Sequence, residues 1–282
     1  MPQSPVDPPA DPPAPDLVED LLEDYLDAVW QSGRDGSGTL LPELPLALRA
    51  GGTDDLTRRA LARLRNIPRT SKDEHCRQVG ELLRELWTSR SPWNAAALRL
   101  LDDPYTFVAT GPRRHDDWAH DVLAVLDRST ADPRGLLRID SDRTNPVRAE
   151  LPTYPFDRWT AGQIHERLHP LTPAAAVEAV TVMAEEWQSE PVPVRSRPDR
   201  DALLDYARTL LDRYGPAARF WTNATVAATG QDPHFLDAGL AGTPCHRFLT
   251  NASVGGFDFY EELGVIAVST DEVGVFWSIG AY

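Results

Sequence analysis

Five consecutive residues, His165-Glu166-Arg167-Leu168-His169, match the H-E-x-x-H pattern with which zinc hydrolases hold their metal. On a helix, the two histidines of this motif are four residues apart and share a face. Two imidazoles so placed can bind one zinc ion and leave room for a third ligand and a water. The glutamate between them is then the general base that takes a proton from the zinc-bound water.

Two predicted helices would position these ligands. Thr160 and Gln163 form a capping box, which predicts a helix over 161–169, and a second helix follows over 173–188. The third ligand must come from that second helix, and Glu186 is assigned to it from three candidate carboxylates: Glu178, Glu185 and Glu186. The arrangement resembles a large class of zinc peptidases in the pattern of its residues only.

Two residues depart from the zinc-peptidase pattern. Arg167 places a cation inside the motif, and Pro170 stops the helix directly after the second histidine. The alternative interpretation is an amphipathic helix that turns its apolar side chains to the core and leaves both histidines idle on the surface. Those apolar side chains are Ile164, Leu168 and Leu171.

A second candidate site lies on a helix predicted over 115–128. His115-Asp116 and His120-Asp121 are His-Asp doublets, which metal-dependent phosphohydrolases use together with further histidine and aspartate ligands. A phosphohydrolase that uses His115 and His120 is therefore a third class of function to test.

Composition limits the partners. The chain has 282 residues, a net charge of −15 and a pI near 4.8, so its surface repels nucleic acid and anionic membranes and favours a basic protein. It contains neither a secretory leader nor a run of about 18 apolar residues. The two cysteines, Cys76 and Cys245, have no metal-binding spacing and suit a reducing cytoplasm.

Hydrophobic periodicity and prolines divide the chain into four parts. Residues 1–15 form a disordered proline-rich tail, and 16–139 form a mainly helical region that begins with an acidic helix. A polar connection over 140–155 leads to an α+β region over 156–282.

Strand-like runs concentrate near the end of the chain. Strands are predicted at 105–110, 219–229 and 245–251, and the apolar β-branched runs on both sides of Asp271-Glu272 predict a hairpin. The fold class is therefore α+β, with a mostly helical N-terminal half and a C-terminal half in which helices precede a small antiparallel sheet.

These observations favour an acidic cytoplasmic protein that is a non-enzymatic protein-binding or regulatory module and needs no cofactor. The alternative is a zinc-dependent hydrolase with His165, His169 and Glu186 as ligands and Glu166 as the catalytic base. The sequence leaves open whether the chain is an enzyme.

Overall fold

The computed structural model describes residues 78, 92–101, 106–127, 129–130, 151, 153–185, 187, 192–251 and 259–281. The tail predicted at 1–15 and the acidic helix that follows it lie outside the described residues, and so does the rest of the predicted helical region up to residue 91 except residue 78. Most of the connection predicted at 140–155 also lies outside them, so the division of the chain at that point stays a prediction.

Three helices of the described region begin at a residue whose side chain caps the helix. Asp117, Thr160 and Thr172 each accept a hydrogen bond from a backbone N–H two or three residues ahead. The helices are α1 (Pro92–Leu100), α2 (Trp118–Leu126), α3 (Ala161–Arg167), α4 (Pro173–Val182), α5 (Arg200–Asp212) and α6 (Phe235–Ala238).

Within the part of the chain that the structure describes, five strands form one antiparallel sheet in the order β1-β5-β4-β3-β2. They are β1 (Thr106–Pro112), β2 (His169–Leu171), β3 (Arg219–Thr222), β4 (Phe259–Val268) and β5 (Glu272–Ala281). The hairpin predicted around Asp271-Glu272 is confirmed, since β4 and β5 pair along most of their length. The edge strand β2 has three residues, and its middle residue, Pro170, has no N–H to donate.

The predicted fold class is wrong in how it distributes helices and strands. Strands are not collected after the helices: β1 precedes α2, and β2 and β3 lie among the helices of the C-terminal half. The sheet is not a small terminal unit either, because β1 pairs with β5 from a position more than 160 residues earlier, for example Thr106 with Ser278. Local periodicity identifies strands, whereas membership of a sheet is decided by pairing between distant segments.

Two further bounds differ from prediction. The strand expected over 219–229 ends at Thr222, and the segment 245–251 contributes only isolated bridges, such as Ala224 with Cys245. The helix expected over 173–188 ends at Val182 and continues as a short 3-10 turn through Glu185.

The sheet has a hydrophobic core on each face, which explains why β4 from Leu263 and β5 from Val273 are almost continuously apolar. Leu263, Val265 and Ala267 of β4 pack under α1, α4 and α5. Ile266 and Val268 point the other way and pack with α2 and α3. The described residues include no helix long and apolar enough to cross a membrane.

Candidate functional site

The H-E-x-x-H motif is divided between two elements. The capping box of Thr160 and Gln163 is confirmed, and α3 begins at Ala161 as predicted. The helix ends at Arg167, Leu168 is extended, and His169 is the first residue of β2. Pro170 disfavours helical geometry in the residue before it, so the predicted common helical face of the two histidines does not form.

His165 is bonded to an aspartate that lies 48 residues earlier. Its Nε2 is 2.8 Å from Oδ1 of Asp117, and the two side chains are 45% and 40% exposed. The rings of Trp118 and His165 pack in a T-shaped arrangement with 4.9 Å between their centroids. Trp118 also packs on Trp221, with 4.4 Å between the centroids. The exposed imidazole is therefore packed against an aromatic pair.

One oxygen of Asp117 makes two contacts at the start of α2. Oδ1 accepts the backbone N–H of Ala119 at 3.0 Å, which caps the helix, and it also lies within hydrogen-bonding distance of His165. Burial acts to raise the pKa of Asp117, but the Ala119 N–H and the His165 ring outweigh it, so the pKa lies below its usual range. The carboxylate is therefore charged at neutral pH.

Asp121 organises the loop before α2 from inside the protein. Its side chain is 1% exposed, and its Oδ1 lies 2.7 Å from Nδ1 of His115 and accepts the backbone N–H of Arg114 at 3.0 Å. Oδ2 accepts Nε–H of Arg113 at 2.9 Å, while that guanidinium also donates to the carbonyl of Ser269. The carboxylate therefore connects α2, its preceding loop and the turn between β4 and β5.

These contacts also set the charge of Asp121. Burial acts to raise the pKa of Asp121, but the hydrogen bonds from His115, Arg114 and Arg113 outweigh it, and the pKa lies below its usual range. With Nδ1 of His115 held by this carboxylate, the Nε2 of a ring that is 51% exposed remains available to solvent or to a ligand.

The structure brings together two motifs that the sequence presents separately. The ring centroids of His120 and His115 are 5.6 Å apart. His120 also contributes electrostatically to the lowered pKa of Asp117, and Asp117 is the residue that bonds to His165. We call this surface the histidine–aspartate face and define it by His115, Asp117, His120 and His165, together with the buried carboxylate of Asp121 that bonds to His115.

Replacing Asp121 with asparagine is expected to lower the free energy of unfolding by about 2–4 kcal/mol at pH 7. The amide would point a donor at groups that are themselves donors and leave Arg113 without its countercharge. Folding lowers the pKa of Asp121 below its ordinary value of 3.8. The stability that the charged carboxylate contributes to the wild type is therefore fully present above pH 3.8 and is lost as the pH falls through the lower pKa of the folded state.

Urea unfolding followed by circular dichroism at pH 7 and at pH 3 measures this effect. Asp116→Asn is the matched control, because Asp116 is an exposed neighbour and its replacement should change stability by less than about 0.5 kcal/mol. Equal stability of the Asp121 and Asp116 variants at pH 7 would contradict the structural role given to Asp121.

The described candidates for a third zinc ligand are bonded elsewhere. Glu185 is buried and accepts the backbone N–H groups of Val194 and Leu240, each at 2.7 Å. Glu178 accepts the N–H of Leu236 at 3.4 Å. Glu186 lies outside the described residues, so the ligand set of His165, His169 and Glu186 with Glu166 as base stays a prediction.

His169 contacts a second histidine, His246, that is distant in the sequence. Its Nε2 lies 3.1 Å from Nε2 of His246, which comes 77 residues later. The described residues contain no group of three or more histidine, cysteine, aspartate or glutamate side chains that could hold a metal ion. His246 directly follows Cys245 in the sequence, and no local pattern marks it as a partner of His169.

The fold and the site together define an antiparallel sheet, covered by helices on both faces, that carries a surface of paired imidazoles and carboxylates. No family model, curated protein or solved structure matches the chain.

Proposed function

We propose that the protein works by binding a basic protein partner through the histidine–aspartate face. The observation that carries this proposal is the pair of His165 and Asp117, which is half-exposed and yet held in one geometry by the N-cap of α2 and by Trp118. Polar groups that are ordered before binding lose little entropy when a partner arrives, and this strengthens association.

The stability of the fold does not account for this ordering. A histidine–aspartate contact as exposed as that of His165 and Asp117 contributes about 0–1 kcal/mol to folding, because water screens it. Across an interface the same pair loses that screening and meets a countercharge, where it favours the correct partner and speeds association.

The net charge supports a basic partner. The chain carries −15 overall. The two segments that form the face hold the exposed carboxylates of Asp116 and Glu166, together with arginines at positions 113, 114 and 167. Acidic surfaces attract basic proteins over about 10 Å at 0.1 M salt. Binding should therefore weaken as the salt concentration rises.

The test compares wild-type protein with the double variant Asp117→Asn/His165→Gln in affinity capture from lysate of the source cells. A protein captured by the wild type is then purified and titrated calorimetrically, and we expect the double variant to bind it at least about tenfold more weakly. Asp205→Asn is the matched control, because Asp205 is an exposed carboxylate that pairs with Arg208 on α5.

Several outcomes would count against the proposal. A partner that binds wild type and double variant equally does not use this face. Release of phosphate that depends on Mn²⁺ and on His115 and His120 would favour the phosphohydrolase instead. About one zinc ion per purified chain, lost in both His165→Ala and His169→Ala, would favour the zinc hydrolase.

We assign the protein to the cytoplasm as part of the same proposal. Cys245 is a free thiol in the described region, and burial raises its pKa well above the ordinary value, so it stays protonated and unreactive. Cys76 lies outside the described residues. Recovery of the tagged chain in the membrane or secreted fraction of the source cells would contradict this assignment.

A further inference from the structure

The pair formed by His169 and His246 is held in place by two adjacent residues of β3 and the segment that follows it. His169 lies opposite Thr222 in the pairing of β2 with β3. His246 donates its backbone N–H to the carbonyl of Asn223, and the Asn223 amide donates back to the carbonyl of His246. Backbone contacts thus bring two half-buried imidazoles together at the edge of the sheet.

The separation of the rings suits two ligands of one metal ion. With metal–nitrogen bonds of about 2.0–2.1 Å, the nitrogens of two ligands lie about 3.3–3.4 Å apart in tetrahedral geometry and about 2.9 Å apart in octahedral geometry. The observed distance of 3.1 Å between the two Nε2 atoms falls between these values. The ring centroids are 5.2 Å apart, so a small turn of each ring would accommodate either geometry.

Each ring presents its Nε2 to the other, and an imidazole binds a metal through the lone pair of such a ring nitrogen. The same separation also fits an N–H···N hydrogen bond between the rings, so geometry alone allows two uses of the pair.

We infer that His169 and His246 form a two-imidazole site for a divalent late transition-metal ion, of which Zn²⁺ is the probe to use first. Imidazole nitrogens suit zinc, copper and nickel better than magnesium or calcium, which take oxygen ligands. The half-buried position leaves a path for the ion and for the waters that complete its coordination. This inference is independent of the proposed function.

The test is a titration of the full chain with Zn²⁺, followed calorimetrically and by thermal melting at pH 7.5. We expect saturable binding, and at a free Zn²⁺ concentration of about 100 times Kd the melting temperature should rise by about 5–10 °C. His169→Gln and His246→Gln should each weaken binding at least about tenfold and remove the rise, since each deletes a ligand but keeps a hydrogen-bonding amide.

His234→Gln is the matched control, because His234 is an exposed histidine outside the pair, and its replacement should leave Zn²⁺ binding unchanged. A measurement on wild-type protein keeps the inference testable if a variant does not fold. In ring-nitrogen NMR of ¹⁵N-histidine-labelled protein, Zn²⁺ should shift the Nε2 resonances of His169 and His246 together.

Two results would overturn the inference. One is a zinc-induced rise in melting temperature that is the same in wild type and in both pair variants. The other is a wild-type spectrum in which the Nε2 resonances of His169 and His246 do not respond to Zn²⁺ and only other histidines do, which would leave the pair as a hydrogen bond.

Discussion

Replacing Gly264 with alanine is expected to lower the free energy of unfolding by about 3 kcal/mol, near the upper end for an overpacked core. Gly264 lies opposite Trp277 in the pairing of β4 with β5. A Cβ at Gly264 would lie 2.2 Å from Cζ3 and 2.3 Å from Cε3 of the indole. One of the two strands must therefore move, or the indole must.

The indole of Trp277 has little freedom to move. It is fully buried, with edge contacts to Phe156 at 5.4 Å and a tilted contact to Phe248 at 5.0 Å between ring centroids. Its Nε1–H donates to Oε2 of Glu262 at 2.9 Å. A shift that relieves the added methyl would break that hydrogen bond or open a gap in the packing of the aromatic rings.

Urea unfolding followed by circular dichroism measures the loss, and Gly162→Ala is the matched control. Gly162 lies in α3, where a Cβ would have no contact within 4 Å outside its own helix. Alanine there should therefore be neutral or stabilising by about 0.5–1 kcal/mol. In a double-mutant cycle, Trp277→Phe should relieve part of the loss, with a coupling of at least about 1 kcal/mol. Additive effects would contradict the steric argument.

Replacing Glu262 with glutamine is expected to remove a pH dependence of stability worth about 3 kcal/mol between pH 4.5 and pH 7. Burial raises the pKa of Glu262 to about 7 from an ordinary value of 4.5, despite the N–H groups of Leu249, Phe248 and Trp277 that favour its charged form. The gap between those pKa values, at about 1.4 kcal/mol for each pH unit, gives the magnitude.

The sign follows from where the proton binds. Between pH 4.5 and about 7 the folded chain holds a proton on Glu262 that the unfolded chain has released. The free energy of unfolding therefore falls as pH rises through this window. Glutamine cannot titrate, so the variant should lose this slope, and its stability relative to wild type should be higher at pH 8 than at pH 5.

Urea unfolding at pH 5, 6, 7 and 8 follows the slope directly. Glu261→Gln is the matched control, since Glu261 is the exposed neighbour on the same strand and its replacement should leave the slope as it is in wild type. An unchanged slope in Glu262→Gln would mean that the three N–H groups keep this carboxylate charged throughout the pH range.

The local features of the fold could be predicted from the sequence because they are decided within a few residues. The start of α3 at Ala161 follows from Thr160 and Gln163, and the start of α4 follows from Thr172. The hairpin around Asp271-Glu272 follows from two apolar β-branched runs and the polar pair between them.

The sheet order could not be predicted in this way. The pairing of β1 with β5 depends on two cores that form on opposite faces of one sheet, and nothing near Thr106 in the sequence specifies Ser278 as its partner. Pro170 predicted that the helix stops directly after His169, but α3 ends two residues earlier, at Arg167.

The candidate site shows the same division. The histidines were marked by their own spacing, but their partners Asp117 and His246 lie 48 and 77 residues away and come close only through packing. Asp117 did carry a usable signal, since an aspartate directly before the apolar start of a helix is a common N-cap.

The shortness of β2 has a consequence for self-association. An unprotected edge invites a strand from another molecule to add, and such addition leads to fibres. At this edge β2 offers three residues, one of which is Pro170, too little backbone for a stable ladder. The β2 edge is therefore a poor template for the addition of strands from further copies of the chain, whereas the opposite edge is the seven-residue strand β1.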